Sequence, residues 1–515
     1  MARYISLQDK LDEIEEQGKR LSRSRLFITV ILVLLQLLLL LALGQLFHRF
    51  AVLLRLLGLC LVFWILSRPD DPSYQISWIL ILLLFPLTGS LFYLIFGNKR
   101  FGLNMKKQLE AFRAAQPAPN PDDCLLPEAA LSPSQRKLAE YLRRCAGAPL
   151  HDDGSAVYFP TGEALFQCML EKLKQAQKFI FLEYFIVAEG VLWTSVLEIL
   201  EQKAANGVEI RILYDDAGCL ATLPEGYDKL LREKGIHTAI FNPIQPRLNT
   251  MLNYRDHRKI CVIDGCCAFT GGANLSDEYI NLQERHGHWK DSGIMVQGSA
   301  ANNLCLLFLQ LWQFSTGERL NSENYCCPMS HGNSTLLQPF GSDPMSSRSV
   351  GRNAYLLLFH HAAQSLWLTS PYLILDSETC SALQLAAQSG VDVRIITPHI
   401  PDKWYVHALT QSFYRPLLEA GVRIFEYTPG FIHAKMALCD DCSAIVGSTN
   451  LDYRSFYLQF ECAVILYNSP AIPAIREDFL ATEALSQEIT LEQVRQTPLH
   501  QRLLRSILRL LAPLM

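Results

Sequence analysis

Histidine, lysine and aspartate recur at one fixed spacing in two places along the chain. The two copies fit H-x-K-x4-D and consist of His257, Lys259 and Asp264, and of His433, Lys435 and Asp440. A small pair and an asparagine trail each copy, as Gly271-Gly272-Ala-Asn274 and Gly447-Ser448-Thr-Asn450. A lone His-x-Lys is usually part of a solvated strand face. Two copies with the same trailing element indicate a duplicated site instead.

The spacing within each copy suits a β-strand that ends in a turn. Residues i and i+2 of a strand point to one face, so each histidine projects beside its lysine. The apolar run Ile260–Ile263 continues the first strand into a core. For Asp264 and Asp440, a turn-forming carboxylate is as well supported as a catalytic one. The small residues before Asn274 and Asn450 allow close approach of backbone, whose amides can face an anion.

Brought together, the two copies would form one pocket with two imidazoles, two ammonium groups and two side-chain amides. Such a set suits a phosphodiester, because these groups stabilise the negative charge that grows on the phosphoryl oxygens in the transition state. One imidazole can attack phosphorus while the other protonates the leaving alkoxide. The expected substrate-binding residues are Gly272, Asn274, Ser448 and Asn450. No Asp/Glu/His cluster suggests a divalent metal, and neither a metal nor another cofactor is expected.

An imidazole used in this way needs an acceptor on its second nitrogen to hold the tautomer. Asp291 and Glu461 lie at comparable distances beyond the two motifs. We expect each carboxylate to orient the histidine of its own half.

The segments around the motifs repeat as well. Strand-like runs open the two copies at Phe179–Ile186 and Leu366–Ile374, and later strands follow Gly207 and Gly390. Strands of β-branched residues alternating with helices of about 12–15 residues predict βαβ units. The predicted fold class is α/β, with two similar halves of mixed sheets flanked by helices about a pseudo-twofold axis. The predicted boundaries are 151–314 for the first half, 315–352 for the connection and 353–482 for the second half.

Long apolar runs precede the two halves. A charged helix over residues 1–25 is followed by apolar segments at 26–47, 51–66 and 76–96. The first and third are long enough to cross a bilayer core of ~30 Å at ~1.5 Å per residue, whereas the second is short. We expect a multi-pass membrane anchor over 26–97 and a helical linker over 98–150. With two crossings the flanking basic clusters share one side, which favours a cytoplasmic catalytic domain; with three crossings the charge rule decides nothing.

Charge and cysteine content narrow the function further. A formal charge of −4 gives no overall attraction to nucleic acid, so no nucleic-acid partner is expected. The 15 cysteines show neither metal-ligand spacing nor a regular framework, which favours a reducing compartment. The oligomeric state is left open.

The doubled motif resembles the signature of the phospholipase D superfamily, over roughly residues 150–480. Residues 271–279, 288–291 and 447–456 are similar to bacterial cardiolipin synthases of the two-motif type. The resemblance implies that one phosphatidylglycerol gives its phosphatidyl group to a histidine and releases glycerol, and that the free hydroxyl of a second then takes the group. It also implies that His257 is the nucleophile and that His433 is the acid and then the base, although the motifs themselves are too symmetric to distinguish these roles.

Three rival functions remain beside that reaction. A phospholipase D-type hydrolase would use the same residues with water as the acceptor. A superfamily nuclease would need a basic groove and no long apolar anchor. A membrane scaffold with degenerate sites would not keep both motifs intact.

The C-terminal residues 483–515 are predicted to form an amphipathic helix. Arg502, Arg505 and Arg509 fall near one face and leucines on the other. Such a helix can rest on anionic lipid or pack on the enzyme's own domain, and both alternatives stay open.

Overall fold

The computed structural model describes residues 51–68, 71–97, 103–115, 131–244, 253–328, 335–346 and 348–514, with eight helical residues between 31 and 42. The predicted charged helix at 1–25 and most of the predicted apolar segment 26–47 lie outside the described residues.

Three short helices form the N-terminal apolar region. They are α1 (Ala51–Leu66), α2 (Pro72–Leu84) and α3 (Pro86–Phe92), and a π-helical turn at Tyr93–Gly97 follows. The predicted apolar segment 76–96 is divided between α2, α3 and the π-helical turn, because Phe85 leaves the helical conformation at φ −133° and ψ 73°, as residues before proline do. None of the helices among the described residues is both long and apolar enough to cross a membrane.

The first half contains nine strands, two of them very short. They are β1 (Ser155–Phe159), β2 (Phe179–Tyr184), β3 (Glu209–Asp215), β4 (His237–Phe241), β5 (Arg255–Asp256), β6 (Lys259–Ile263), β7 (Cys267–Gly271), β8 (His288–Lys290) and β9 (Gly293–Gln297). The remaining helices up to the connection are α4 (Leu103–Ala115), α5 (Pro133–Ala146), α6 (Gly162–Gln175), α7 (Val191–Ala205), α8 (Asp216–Cys219), α9 (Tyr227–Glu233) and α10 (Ala301–Thr316). Seven strands form a mixed sheet in the order β1-β9-β7-β6-β2-β3-β4.

The second half repeats this arrangement. Its strands are β10 (Leu336–Ser342), β11 (Ser365–Thr369), β12 (Leu373–Ile374), β13 (Asp392–Pro398), β14 (Arg423–Tyr427), β15 (Gly430–Ile432), β16 (Met436–Cys439), β17 (Ser443–Gly447), β18 (Leu451–Asp452), β19 (Gln459–Tyr467) and β20 (Ser486–Ile489). Its helices are α11 (Val350–His361), α12 (Ser377–Gln388), α13 (Trp404–Gln411), α14 (Tyr414–Glu419), α15 (Tyr453–Tyr457), α16 (Ile472–Ala484), α17 (Leu491–Arg495) and α18 (Leu499–Leu511). The sheet runs β10-β19-β17-β16-β11-β13-β14-β20, so its first seven positions match the first half. The prediction of two similar α/β halves with mixed sheets is confirmed.

Two strands fall outside the predicted boundaries of the second half. β10 lies in the predicted connection 315–352, yet it pairs with β19 along its whole length. β20 lies in the predicted C-terminal helix 483–515, yet it pairs with β14. Both strands supply hydrogen bonds at edges of the sheet that would otherwise be open. The C-terminal region therefore consists of one strand and two helices.

Short strands also pair across the two halves. β5 of the first half pairs in parallel with the start of β19, and β8 pairs in parallel with β15 of the second half. A shared core fills the space beneath, where α10 residues such as Phe308 and Trp312 meet buried residues of both sheets. Each half therefore holds a segment of the other beside its motif.

The helices of the predicted linker 98–150 belong to the two cores. α4 packs against α10 and buries Met105, Leu109 and Phe112 in the shared core. α5 packs on α11, and its buried Gln135 donates to the Cys442 carbonyl in the second half.

One disulfide joins Cys266, in the turn between β6 and β7, to Cys327 in the connection. Twelve other described cysteines are free. Sequence spacing gave no indication of this pair, because the fold brings two cysteines 61 residues apart in sequence to a Cα–Cα distance of 5.1 Å.

Candidate active site

His257 lies between β5 and β6, at the boundary between the two halves. Its backbone N–H donates to the Phe460 carbonyl at 2.9 Å, which continues the pairing of β5 with β19. Its Nδ1 lies 2.9 Å from Oε1 of Glu461. The ring of Phe185 packs edge-on against the imidazole, with centroids 5.2 Å apart. The other ring nitrogen, Nε2, is thereby the one available for chemistry.

His433 occupies the equivalent place between β15 and β16. Its backbone N–H donates to the Lys290 carbonyl at 2.7 Å, next to the pairing of β15 with β8. Its Nδ1 lies 2.7 Å from Oδ2 of Asp291. Tyr279 and Trp289 of the first half pack against the imidazole, each with its ring centroid 5.5 Å away.

The carboxylates are exchanged between the halves. Asp291 of the first half binds His433 of the second, and Glu461 of the second half binds His257 of the first. The expectation that each carboxylate orients the histidine of its own half is therefore wrong. The reason is the pairing of β5 with β19 and of β8 with β15, which sets each histidine beside the other half's carboxylate.

The small residues of the trailing elements serve these carboxylates. A Cβ on Gly272 would lie 2.1 Å from Oδ1 of Asp291, so only glycine leaves room for that side chain. Ser448, at the same point of the second copy, donates its hydroxyl to Oε2 of Glu461. Ser455 donates to Oε1 of Glu461 at 2.7 Å. Gly272 and Ser448 thus sit behind the histidines as positioning residues, rather than where substrate binding was expected.

The two lysines are buried beside the histidines. Lys259 donates to the His257 carbonyl at 2.6 Å, and Lys435 donates to the His433 carbonyl. Lys435 Nζ also lies 2.8 Å from His433 Nδ1, but an Nδ1–H that donates to Asp291 cannot accept from the ammonium group. Burial lowers the pKa of Lys259 to about 8 and that of Lys435 to about 7.

The electrostatics place both motifs in one pocket. Burial and the two lysines, Lys259 and Lys435, hold the pKa of His257 well below its ordinary value. Burial and Lys435 lower the pKa of His433 to about 3, although Asp291 acts in the opposite direction. Each lysine thus acts on both histidines, so the two motifs lie close enough to influence each other's charge.

The two carboxylates carry different charge. Burial raises the pKa of Glu461 to about 7, against the opposing effect of Lys259. Asp291 is equally buried, but His433 and Lys435 outweigh that burial and hold its pKa below the ordinary value. At neutral pH His433 therefore faces a full negative charge, whereas the partner of His257 is partly protonated.

The trailing asparagines are buried at equivalent points and used differently. Asn274 accepts from the Ile186 N–H at 3.1 Å and donates to the Tyr279 hydroxyl at 2.6 Å. Asn450 is equally buried, and its side-chain oxygen has no hydrogen-bond partner within the described part of the chain. The Asn450 side chain still interacts with Asp452, so only its oxygen is left for a further hydrogen-bond donor.

Asp264 and Asp440 lie away from the pocket, at the opposite end of their strands. Asp264 accepts from the backbone N–H groups of Gln177, Lys178 and Phe179 at 2.7 to 2.9 Å. Asp440 accepts from those of residues 363, 364 and 365 at 2.7 to 2.8 Å. Both have positive φ, near 50°, which suits a turn. The catalytic assignment is therefore wrong for both, and the turn-forming alternative is right.

Sequence reasoning missed the role of Arg454, at the start of α15. Its positive charge acts on His257. The Arg454 guanidinium forms no hydrogen bond or ion pair with another residue that the structure describes. Counted from the trailing asparagines, the first copy has Glu278 at this position. This reversal of charge between otherwise matching copies is the sequence feature that could have indicated a special role for Arg454.

The motif-bearing segments match a family model described as "Cardiolipin synthase, PLD-like domain" at residues 169–297 and again at 355–482. Residues 56–98 match a second model, "Phospholipase_D-nuclease N-terminal". A cardiolipin synthase of Geobacillus thermodenitrificans is 34% identical over 478 residues, which cover 92% of this chain and 95% of that protein. This chain belongs to the cardiolipin synthase family of the phospholipase D superfamily. As a member of the cardiolipin synthase family, it is an enzyme of the phosphatidyltransferase class.

Other relatives agree with the family assignment. The cardiolipin synthase of Halalkalibacterium halodurans is 34% identical over 480 residues, covering 92% of this chain and 95% of that protein. An uncharacterized protein of Streptococcus mutans is 41% identical over 460 residues, covering 88% of this chain and 99% of its own length. The fold is similar to the crystal structure of phosphatidylserine synthase from Haemophilus influenzae. In that comparison the TM-score is 0.59 and the identity 14%, over 74% of this chain and all of that one.

Proposed function

We propose that the enzyme makes cardiolipin from two molecules of phosphatidylglycerol, with release of glycerol, through a phosphohistidine intermediate. The observation that carries the proposal is the pair of buried histidines, each held at Nδ1 by the other half's carboxylate and each beside a lysine. This arrangement leaves two Nε2 atoms for in-line displacement at phosphorus, one as nucleophile and one as proton carrier.

The surroundings of the two histidines favour different roles, His257 as the nucleophile and His433 as the proton carrier. The pKa of His257 is held well below its ordinary value, so the ring is neutral and its Nε2 can attack the phosphorus of the donor. In the empty pocket His433 is neutral as well, since its pKa is lowered to about 3. A bound phosphodiester adds its negative charge to that of the ionised Asp291 and raises the pKa of His433, so this imidazole can hold the proton that it gives to the departing glycerol oxygen. The neutral His433 then takes the proton of the acceptor's hydroxyl as that oxygen attacks phosphorus and the bond to His257 breaks.

Lys259 and Lys435 supply charge to the phosphoryl oxygens. Each is buried with its ammonium group near the histidine of its motif. A bound phosphodiester would favour their protonated forms, since an anion close by raises the pKa of an ammonium group. Their charge would then stabilise the additional negative charge of the transition state.

Arg454 supports a lipid acceptor over water. An acceptor phosphatidylglycerol carries its own phosphodiester, which does not react but brings a negative charge into the pocket. Among the residues that the structure describes, the guanidinium of Arg454 has neither a hydrogen-bond nor an ion-pair partner, while its charge acts on His257. It is therefore suited to hold the second phosphate, which a hydrolase acting with water would not need.

We further propose that the protein is anchored in the cell membrane by the apolar segments at 26–47, 51–66 and 76–96, as its lipid substrate requires. The cytoplasmic placement of the catalytic halves remains a prediction. The bond between Cys266 and Cys327 is an observation against it, because disulfides persist in oxidising compartments.

The proposal is tested by product analysis of purified enzyme in liposomes that contain phosphatidylglycerol and no nucleotide. We expect cardiolipin and glycerol in equal amounts, and neither from a His257→Ala enzyme. Phosphatidic acid as the sole lipid product would make the enzyme a hydrolase. If phosphatidylglycerol alone gives no turnover but another lipid alcohol accepts the phosphatidyl group, that alcohol is the acceptor and the proposed one is wrong.

A further inference from the structure

The C-terminal helix α18 turns its arginines toward the protein. Arg505 donates to Gln411 at the end of α13, and Arg502 donates to the Arg495 carbonyl of α17. Arg509 donates to the Ser412 carbonyl at 3.4 Å, and its guanidinium lies 4.4 Å from the centre of the Phe413 ring. The basic face thus contacts the second half, while Arg502 and Arg509 also keep exposed surface.

The apolar face of α18 points outward. Among its large apolar residues, Leu499 is 71% exposed, Ile507 58% and Leu503 57%. Leu504 and Leu510 are exposed to a smaller degree. Positions 499, 503, 507 and 510 recur at helical spacing, so they form one continuous stripe. A stripe of this kind on an isolated soluble surface would be unfavourable, which marks it as a contact surface.

This stripe is continuous with the N-terminal apolar helices. The Leu510 carbonyl, at the end of α18, accepts from the hydroxyl of Ser77 in α2. Leu514 packs into the cluster of Ile65, Trp78 and Tyr93. Helices α1 and α2 in turn expose large apolar side chains, among them Phe63 at 68% and Leu83 at 65%.

The same helix is connected to the active site through a series of contacts. α18 packs on α13, whose first residue, Trp404, is 66% exposed. Just before α13, Asp402 accepts from the Tyr372 hydroxyl at 2.6 Å. The Tyr372 ring packs on Phe431, which packs on His433. A series of contacts therefore runs from α18 through α13 to the ring of His433.

We propose that the leucine face of α18 and the helices α1 to α3 form one docking surface, and that its occupant is the interfacial region of a phospholipid bilayer. This surface has a function separate from the catalytic reaction, because it would set the orientation of the pocket at the membrane. An apolar face flanked by an exposed tryptophan suits the boundary between headgroups and acyl chains. The leucine face itself carries no charge, so its contact with a bilayer does not require anionic headgroups.

Lipid photolabelling tests the surface directly and needs no turnover. The full-length protein is reconstituted in phosphatidylcholine liposomes with a lipid that carries a diazirine in its acyl chain, and the labelled residues are mapped by mass spectrometry. We expect label on Leu503 and Ile507, and none on Leu230, an exposed leucine of α9 in the first half. Label confined to the N-terminal region, or α18 cross-linked to α18 of a second copy, would overturn the proposal.

Paired variants test the consequence for the pocket. In Leu503→Gln combined with Ile507→Gln, turnover of phosphatidylglycerol in bilayers should fall about tenfold, because the interfacial helix loses its apolar contacts. Turnover of a short-chain phosphatidylglycerol dispersed as monomers should stay unchanged. Leu230→Gln is the matched control and should alter neither rate. An equal loss of turnover with both substrates would contradict docking. Absence of cardiolipin from the wild-type reaction would instead refute the proposed reaction, and the labelling result would still stand.

Discussion

The two halves present the same histidine, lysine, small residue and asparagine to one pocket, yet they differ in what lies behind them. His433 is held by the short, ionised Asp291, which lies against Gly272. His257 is held by the longer Glu461, which the hydroxyl of Ser448 supports. The first half combines the short Asp291 with Gly272, and the second half combines the longer Glu461 with Ser448. Each pair fills a similar space behind a histidine.

A duplicated site can therefore acquire two roles, nucleophile and proton carrier, while both copies keep the same histidine and lysine. Both histidines are equally buried, so the negative charge of Asp291 makes His433 the ring that more readily takes up a proton when an anionic substrate is bound. Arg454, where the first copy has Glu278, extends the difference to the part of the pocket that would hold substrate.

The largest effect should come from removing either histidine. His257→Ala removes the nucleophile and should lower cardiolipin formation by about 10⁴-fold or more. His433→Ala removes the acid and should cost about 10² to 10⁴-fold. A substrate with a nitrophenol leaving group separates the roles, because it needs no proton donor. His433→Ala should still release a burst of nitrophenol, and His257→Ala should release none; a burst from His257→Ala would reverse the assignment.

Removing the charge of Asp291 should lower kcat more than removing the charge of Glu461. Asp291→Asn should lower kcat about 10³-fold, since the ionised partner of the proton-carrying histidine is lost. Glu461→Gln should cost only about tenfold near neutral pH, because Glu461, with its pKa raised to about 7, is already partly neutral there. Equal losses at pH 7 would mean that the carboxylates are equivalent.

The pH dependence should show the same asymmetry. As the pH falls through about 7, Glu461 takes up a proton and no longer stabilises positive charge on His257, so kcat should fall on the acid side. Glu461→Gln should lack this acid limb, whereas Asp291→Asn should keep it. An acid limb that persists in Glu461→Gln would assign that titration to another group.

Replacing Arg454 should change the products more than the rate of the first step. In Arg454→Gln, transfer to phosphatidylglycerol should fall about tenfold to a hundredfold, the loss expected for a charged hydrogen bond to phosphate. Glycerol release with water as the acceptor should persist, so phosphatidic acid should increase relative to cardiolipin. Glu278→Gln is the matched control in the first copy and should leave this ratio unchanged.

The smallest effect on chemistry should come from the two turn-forming aspartates. Asp264→Ala and Asp440→Ala each remove an acceptor for three backbone N–H groups, at a cost of about 1–3 kcal/mol in the free energy of unfolding. Denaturant unfolding in detergent should show similar losses for both, while kcat of the folded enzyme stays near that of the wild type. A loss of kcat without a loss of stability would restore a catalytic role.

The sequence was sufficient to predict the duplication, the α/β class and the paired histidines and lysines, because these follow from local spacing and strand periodicity. It was not sufficient to predict the exchange of Asp291 and Glu461. That exchange depends on strands of two or three residues, too short to show periodicity, that pair across the halves. The break at Phe85 was readable from Pro86, whereas the edge strands β10 and β20 depend on distant partners.

The most direct test of the different roles is to locate the phosphatidyl group on the enzyme. The wild-type protein and His433→Ala are mixed with phosphatidylglycerol, quenched in base, under which phosphohistidine persists, and digested for mass spectrometry. We expect the modification on His257 in both proteins and none on His433. Modification of His433 in the wild type would contradict it.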